Sequence, residues 1–422
     1  MPRRWRSCDG ADLREAEVSI RDLHEGRRWQ LPDGVEEILP PRARRIEAVR
    51  RRVLDEFDRW GYELVVPPLI EYLDSLLVAA GSDLDLQTFK VTDQLSGRMM
   101  GVRADLTSQT ARIDAHTLRQ DGPTRLCYSE TVLRTRPEGL FGSRTPIRIG
   151  AELFGVPGPA GDAEVVSLMV RMLRVAGVCD ARGAVHVELG HVAIYRALAG
   201  AAGLEARAAA DLFDAVQRKA LADVDGVLAE TGCEGEAARM LRALPTLMGD
   251  ATVLGRARDE LAGAPAEVTA ALDELEQIAE LATRRTEGLE LRFDLAELRG
   301  YNYHQGAVFS AYAADHARIV AGGGRYDGVG AAFGRARPAT GFDAALEVLA
   351  ELGTNGGEAG PTVLAPEPGT VDADAERALW RCVDGLRAEG VRVVSAPTSG
   401  AADERLEWRD GDWCRVPIDT GS

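Results

Sequence analysis

Apolar positions along this chain change period several times, and each change marks an element. From Pro41 to Trp60, apolar Ile46, Val49, Val53, Leu54 and Phe57 recur at spacings of three and four among arginines, which predicts one helix with a buried stripe and a wet basic face. Gly61 ends it, and Tyr62 to Leu69 reads as a strand whose prolines suit an edge. Phe89–Asp93 and Met99–Arg103 are expected to form a hairpin through Ser96-Gly97, and Thr124–Arg134 and Ile147–Gly155 a longer one, its tip carrying Pro137, Gly139, Gly142 and Pro146. Between them a helix starts near Arg103–Arg112, with Asp105 or Thr107 as its N-cap. Glu164–Val175 reads as an amphipathic helix and Ala184–His191 as a strand. Val192 to about Thr286 is rich in Ala, Leu, Glu and Arg with short glycine breaks, the pattern of several helices. Leu298–Phe309 reads as a strand presenting Tyr303 and His304 to opposite faces, and Pro338–Leu349 leads from strand into helix.

At 422 residues the chain exceeds the size at which one core keeps growing, so two or three domains are expected. Net charge is −17, from 67 acidic against 50 basic residues, which gives no global attraction to nucleic acid. Six cysteines stand far apart without a Cys-x-x-Cys pair, so neither a zinc site nor a disulfide framework is signalled, and a reducing cytoplasm fits. No run of 18 or more apolar residues occurs, so no membrane span is expected. His186 and Glu188 share a strand face, but no third ligand stands at suitable spacing, so no metal is assigned.

Chemistry concentrates in the C-terminal third: Arg299-Gly300-Tyr301-Asn302-Tyr303-His304-Gln305-Gly306, then Gly322-Gly323-Gly324-Arg325-Tyr326-Asp327, then Arg337-Pro338-Ala339-Thr340-Gly341-Phe342. The glycine triplet permits close approach of backbone or ligand. Arg325 and Asp327 follow at once with charge for a polar pocket built on sheet. The spacing is not that of a P-loop.

Together these segments resemble the histidine-binding half of histidyl-tRNA synthetase. They are still more similar to its paralogue, the regulatory subunit family of ATP phosphoribosyltransferase, whose pattern is Tyr-His-x-Gly-x-Val-Phe, Gly-Gly-Arg-Tyr-Asp and Arg-Pro-Ala-Thr-Gly-Phe. The resemblance covers roughly residues 31–350 and implies an α+β fold: a class II aminoacyl-tRNA synthetase-like antiparallel sheet flanked by helices, with a helical insertion and a small C-terminal α/β remnant. The expected division is a variable extension at 1–28, a core at 29–190 and 287–352, an insertion at 191–286, a linker at 353–360 and the remnant at 361–422. Helix, Gly-Tyr, strand and proline near residue 61 resemble motif 1, which implies self-dimerisation there.

Departures from the synthetase pattern decide the implied function. The hairpin tip reads Arg134-Thr135-Arg136-Pro137-Glu138 and lacks the family's ATP-ordering sequence. Arg148 stands where the synthetase has Gln, and a guanidinium cannot accept a hydrogen bond from an ammonium. Val348 occupies the place of the motif 3 arginine that stacks on adenine, and an isopropyl group cannot do that work. Losing one such charge commonly costs roughly 3–4 kcal/mol of transition-state stabilisation.

The resemblance therefore implies a regulatory subunit without catalytic residues or cofactor, serving the first step of histidine biosynthesis and its feedback inhibition. Its partner would be a short-form ATP phosphoribosyltransferase catalytic subunit, in a hetero-octamer; nucleic acid and membrane are not expected partners. The competing readings are histidyl-tRNA synthetase and another amino-acid-activating enzyme. The implied histidine pocket comprises Asp105, Thr107, Arg134, Arg148, Glu152, Arg299, Tyr303, His304 and Tyr326, with acids on ammonium and imidazole, arginines on the carboxylate and rings packed on the ligand.

Overall fold

The computed structural model describes residues 30–78, 82–137, 142–179, 184–301, 303–313, 319–354, 360–367, 369–395 and 402–418. The extension at 1–28, most of the expected linker and the tip residues Glu138 and Gly139 lie outside them. The chain forms two compact units, residues 1–356 and 357–422.

The apolar stripe of the first helix does what its period predicts. Helix α1 (Arg42–Arg59) buries Ile46, Val49, Val53 and Phe57, and the Phe57 ring meets Phe342 edge-on at 6.0 Å. Each such side chain withdrawn from water contributes about 1.5–3 kcal/mol. Glu56 is buried with them. It accepts hydrogen bonds from Arg171 Nε (2.7 Å) and Trp60 Nε1 (3.2 Å), so this carboxylate enters the core only because cations and donors meet it there.

After Gly61, held at φ +78°, the expected strand over Tyr62–Leu69 shrinks to β1 (Glu63–Leu64), which pairs parallel with β5 (Thr124–Thr131). Pro67 and Pro68 supply no N–H for a ladder, so pairing stops before them. The chain then enters a small sheet of β2 (Ile70–Tyr72), β3 (Phe89–Thr92) and β4 (Met99–Val102), in the order β2-β4-β3. The β3/β4 hairpin turns through Ser96 and Gly97 as expected, with Asp93 accepting from Leu95 N at 3.0 Å. Two short helices, α2 (Leu73–Leu76) and α3 (Ser82–Gln87), lie between β2 and β3, followed after β4 by α4 (Thr107–Arg112) and a π-helical turn (Ile113–Leu118).

The main sheet has nine strands in the order β1-β5-β6-β12-β11-β10-β7-β9-β8. Its remaining members are β6 (Ile147–Phe154), β7 (Val185–His191), β8 (Met248–Gly249), β9 (Leu289–Asp294), β10 (Ala307–Tyr312), β11 (Ile319–Arg325) and β12 (Ala339–Ala345). Pairing is antiparallel except at β1/β5 and β7/β9, so the sheet is mixed. Helix α5 (Pro159–Ala176), longer than the pattern predicts, packs across it with most of its residues buried. Val192 to Arg285 forms α6 (Val192–Ala201), α7 (Ala206–Gln217), α8 (Leu221–Glu230), α9 (Gly235–Ala243), α10 (Thr252–Glu260) and α11 (Ala266–Arg285). Strand β8, which the helical composition hides, joins the sheet from within this stretch.

Two expectations need correction. Tyr303 and His304 do not alternate along a strand: β10 begins only at Ala307, and both residues sit in a tight turn where their N–H groups donate to Gly300 O, each at 2.7 Å. Gly300 adopts φ +67°, and a Cβ there would lie 2.5 Å from His304 Cδ2; this turn geometry overrides the β-forming composition of the stretch. Arg325 and Asp327 do not furnish the pocket. Buried Arg325 donates to Asp162 Oδ2 (2.9 Å) and Gly158 O (2.9 Å) at the start of α5, with Asp327 beside it at 3.1 Å.

After α12 (Val329–Ala332), strand β12 runs into α13 (Leu346–Leu352) as its pattern predicts. In the second unit β13 (Thr362–Leu364), α14 (Ala373–Ala388), β14 (Arg392–Val394), β15 (Glu404–Arg409) and β16 (Asp412–Pro417) form a four-stranded sheet, ordered β14-β13-β15-β16, with one helix. Asp372 caps α14 through the N–H groups of Asp374 and Ala375. Strands β15 and β16 form a hairpin, in which Trp408 stands opposite Trp413.

Candidate functional site

Strands β6, β12, β11 and β10 lie side by side in the main sheet, and a cleft of roughly 1570 Å³ opens over them. All nine residues named from the sequence line it: Asp105, Thr107, Arg134, Arg148, Glu152, Arg299, Tyr303, His304 and Tyr326. They come from five separate stretches of chain, brought together by the fold.

Glycine makes the floor possible. A Cβ on Gly341 would lie 1.6 Å from Glu152 Oε2, and one on Gly323 would lie 1.9 Å from Gly341 O. Gly341 therefore yields its space to the Glu152 carboxylate, while Gly323 lets β11 pair with β12. Gly322, Gly323 and Gly341 all line the cleft.

Glu152 is the centre of the first end of the cleft. It is 1% exposed and accepts hydrogen bonds from Tyr326 Oη (2.5 Å) and Tyr128 Oη (3.0 Å). Tyr128 Oη also lies 3.3 Å from Thr107 Oγ1. Burial pushes the Glu152 carboxyl up to about 8, although the Tyr326, Thr107 and Tyr128 contacts pull the other way. Burial likewise raises the Tyr128, Tyr303 and Tyr326 phenols well above their ordinary value. It lowers the His304 imidazole to about 4, so that ring is neutral near pH 7. Tyr303 stacks on Tyr326 with centroids 5.2 Å apart and meets His304 edge-on at 5.5 Å. Tyr303 Oη and His304 Nδ1 are buried with no hydrogen-bond partner among the described residues. Unmet polar atoms at the wall of a cleft are the groups that a polar ligand satisfies.

Asp105 both braces a helix and lines the cleft. Its carboxylate accepts from Ser108 N at 3.1 Å and Ser108 Oγ at 3.3 Å, so Asp105 ties down the first turn of α4, although Leu106, and neither Asp105 nor Thr107, stands at the N-cap position. Arg134 donates from Nε to Ala104 O at 3.3 Å. Arg299 is paired with Glu297 (2.8 Å) and donates to Tyr312 Oη (3.2 Å), whose hydroxyl passes on to Glu188 (3.0 Å). Glu188 is thus engaged within the fold, and its strand-face neighbour His186 faces Glu290 at 3.2 Å. Among the described residues no group of three or more metal-binding side chains is present.

The other end of the cleft carries Glu36, Arg42, Arg148, Asp343, Glu347, Val348 and Glu351. Arg148 grips Asp343 through two hydrogen bonds, 2.7 and 2.5 Å, and Arg42 bonds Glu36 at 2.9 Å. Glu347 accepts from Ile147 N at 2.8 Å. Arg148 enters the cleft already holding a carboxylate of its own chain, which answers why a guanidinium stands there. Val348 lines this end, partly buried, on α13.

Sequence reasoning missed Tyr128, Asp343, Glu297 and Tyr312, as well as Phe213 and Gln217 from α7. Tyr128 left one signal. Gly150 stands opposite it on β6, and a Cβ at Gly150 would lie 2.6 Å from Tyr128 Oη.

Similar proteins share this fold. The histidyl-tRNA synthetase family model matches residues 34–349. An ATP phosphoribosyltransferase regulatory subunit of Pseudomonas aeruginosa is 52% identical over 400 residues, covering 93% of this chain and 98% of the relative. That of Pseudomonas syringae pv. syringae is 55% identical over 400 residues with the same coverage. The crystal structure titled ATP phosphoribosyltransferase regulatory subunit/histidyl-tRNA synthetase from Bacillus halodurans aligns with TM-score 0.76 at 25% identity, covering 89% of this chain and 94% of that one. Histidyl-tRNA synthetase from Nostoc aligns with TM-score 0.74 at 15% identity over 92% of this chain and 97% of its own, a likeness of fold. No helix among the described residues is long and apolar enough to cross a membrane. On this combination of a synthetase-like sheet, a cleft floored by Glu152 and full-length similarity to named relatives, the chain belongs to the ATP phosphoribosyltransferase regulatory subunit family, built on the histidyl-tRNA synthetase fold.

Proposed function

We propose that this chain is the non-catalytic, histidine-sensing partner of a short-form ATP phosphoribosyltransferase catalytic subunit, acting in the cytoplasm at the first step of histidine biosynthesis. The catalytic partner follows from what the relatives' name implies. The observation that carries the sensing role is the contrast within one cleft: Glu152 and its tyrosines line one end, whereas the other presents Val348 among Glu36, Glu347 and Glu351. A triphosphate needs cations. There Arg42 and Arg148 are already spent on Glu36 and Asp343, so the surroundings disfavour ATP and support amino-acid binding without adenylation.

In this reading the histidine ammonium and imidazole engage Asp105, Glu152, Tyr303 and Tyr326. The carboxylate is drawn by Arg134 and Arg299, and the Arg148–Asp343 pair forms a wall. Feedback inhibition then requires that histidine favour one state of the assembly over another, because equal affinity shifts nothing.

The hetero-octamer would be assembled on self-dimers of this chain. Exposed Leu64, Val66, Leu69, Ile70, Tyr72, Val91 and Met99 cluster along β1 to β4, and β1 is a sheet edge. Apolar surface of this kind suits a protein interface. The expected division into a core, an insertion and a C-terminal remnant is kept as part of the proposal.

Two measurements test it. Calorimetry should detect histidine binding to the purified chain, and histidine-dependent ATP–pyrophosphate exchange should be absent. Exchange at a synthetase-like rate would replace this reading with the amino-acid-activating one.

A further inference from the structure

One end of the cleft is walled by a turn that leans on the helical segment. Arg196, on α6, donates from one terminal nitrogen to Tyr301 O (3.1 Å) and His304 O (3.2 Å). Its guanidinium also lies 4.8 Å above the Tyr301 ring. Tyr301 in turn packs between Tyr195 of α6 (5.7 Å) and Phe213 of α7 (5.0 Å). Two and three residues further on, Tyr303 and His304 face the cleft with polar atoms that have no partner among the described residues. Phe213, Gln217 and Tyr301 line the same cleft.

From this geometry we infer that Arg196 is a positioning residue for the amino-acid end of the cleft, and that helices α6 and α7 are thereby coupled to whether that end is occupied. The inference rests on the histidine reading above. Its physical basis is that His304 O and His304 Nδ1 belong to one residue. The guanidinium that fixes the carbonyl also fixes where the ring and its neighbour Tyr303 are presented, and Tyr301 keys the same turn into an aromatic socket of the helical segment. Coupling of this kind is reciprocal: what ligand does to the helices, the helices do to ligand affinity.

Arg196 is solvent-exposed, so its removal strands no buried charge and the fold should tolerate it. In Arg196→Ala, histidine affinity measured by calorimetry on folded protein is expected to fall about ten-fold, with a modest drop in melting temperature from two lost hydrogen bonds at the exposed surface. Arg196→Lys, which lacks the planar fork, should recover only part of the loss. In the unsubstituted chain, histidine should slow amide hydrogen exchange in Val192–Gln217, and Arg196→Ala should abolish that response. Wild-type affinity in Arg196→Ala, or no histidine-dependent protection of α6 and α7 in the unsubstituted chain, overturns the inference while leaving histidine binding intact. Failure of the unsubstituted chain to bind histidine sinks the parent reading and this one together.

Discussion

The two ends of the cleft face the same space and are built on the same strands, yet they spend their polar groups differently. At one, Glu152 holds its carboxyl near 8 against neighbouring hydroxyls, and Tyr303 Oη and His304 Nδ1 have no hydrogen-bond partner among the described residues. At the other, each arginine meets an acid of its own chain, Arg148 with Asp343 and Arg42 with Glu36. Arg299 meets an acid too, Glu297 at 2.8 Å, so the contrast lies between buried hydroxyl and imidazole groups around Glu152 and a cluster of paired charges. In the proposed reading, the fold gives up nucleotide binding and keeps amino-acid binding without rearranging its sheet.

The largest effect is expected at Glu152. Glu152→Ala should lower histidine affinity at least a hundred-fold by calorimetry, since it removes a fully buried acceptor and leaves Tyr326 and Tyr128 hydroxyls unmet. Glu152→Gln keeps the volume and should also bind poorly, because a neutral amide cannot oppose a cation; wild-type affinity in this variant would show the carboxylate to be structural.

Next comes the other end. Val348→Arg should leave ATP–pyrophosphate exchange undetectable, because Glu347, Glu351 and the Arg148–Asp343 pair still surround that position. Exchange restored by this single change would mean that the two ends differ by one side chain only.

Asp105 separates bracing of α4 from binding. Asp105→Asn keeps an oxygen for Ser108 N and should hold the melting temperature while weakening histidine inhibition several-fold; Asp105→Ala should lose inhibition and also about 1 kcal/mol of stability. Assembly with the catalytic subunit should survive both, and unchanged inhibition would place histidine elsewhere.

The smallest effect is in pH. Relative to an exposed glutamate near 4.5, folded Glu152 keeps its proton to about 8. The folded state therefore binds a proton that the unfolded state lacks across that window, and stability falls as pH rises through it. The melting temperature of the unliganded chain should decline more from pH 5 to 8 than that of Glu152→Gln. A cationic ligand needs the ionised carboxylate, so histidine binding near pH 7 should release a proton, read as a dependence of calorimetric enthalpy on buffer ionisation heat. Identical slopes for both proteins would place the Glu152 proton outside the binding event.

Much of this was legible because the relevant signals are local. The stripe of α1, the β3/β4 and β5/β6 hairpins and the passage from β12 into α13 each follow from period, turn residues and glycine placement within a few positions. The turn at Gly300 was not legible as a turn, since Tyr301, Tyr303 and Val308 read as strand formers and only the left-handed Gly300 and the approach of His304 reveal the bend. Tyr128 read only as one position of the Thr124–Arg134 strand. Its hydroxyl acquires a role only when Gly150 on the neighbouring strand leaves room and Glu152 arrives two residues later.

By itself, the amino-acid order determined which side chains this chain has to offer: the nine candidate cleft residues, the glycines that admit close approach, and a valine at the position where the resemblance to the synthetase implies an arginine. Tertiary structure alone decided which charges stay available. Arg325 was drawn into the core by Asp162, 163 residues away in the chain, and Arg148 was claimed by Asp343, 195 residues away. Pairing of that kind depends on which strands lie side by side, and sequence spacing carries no record of it.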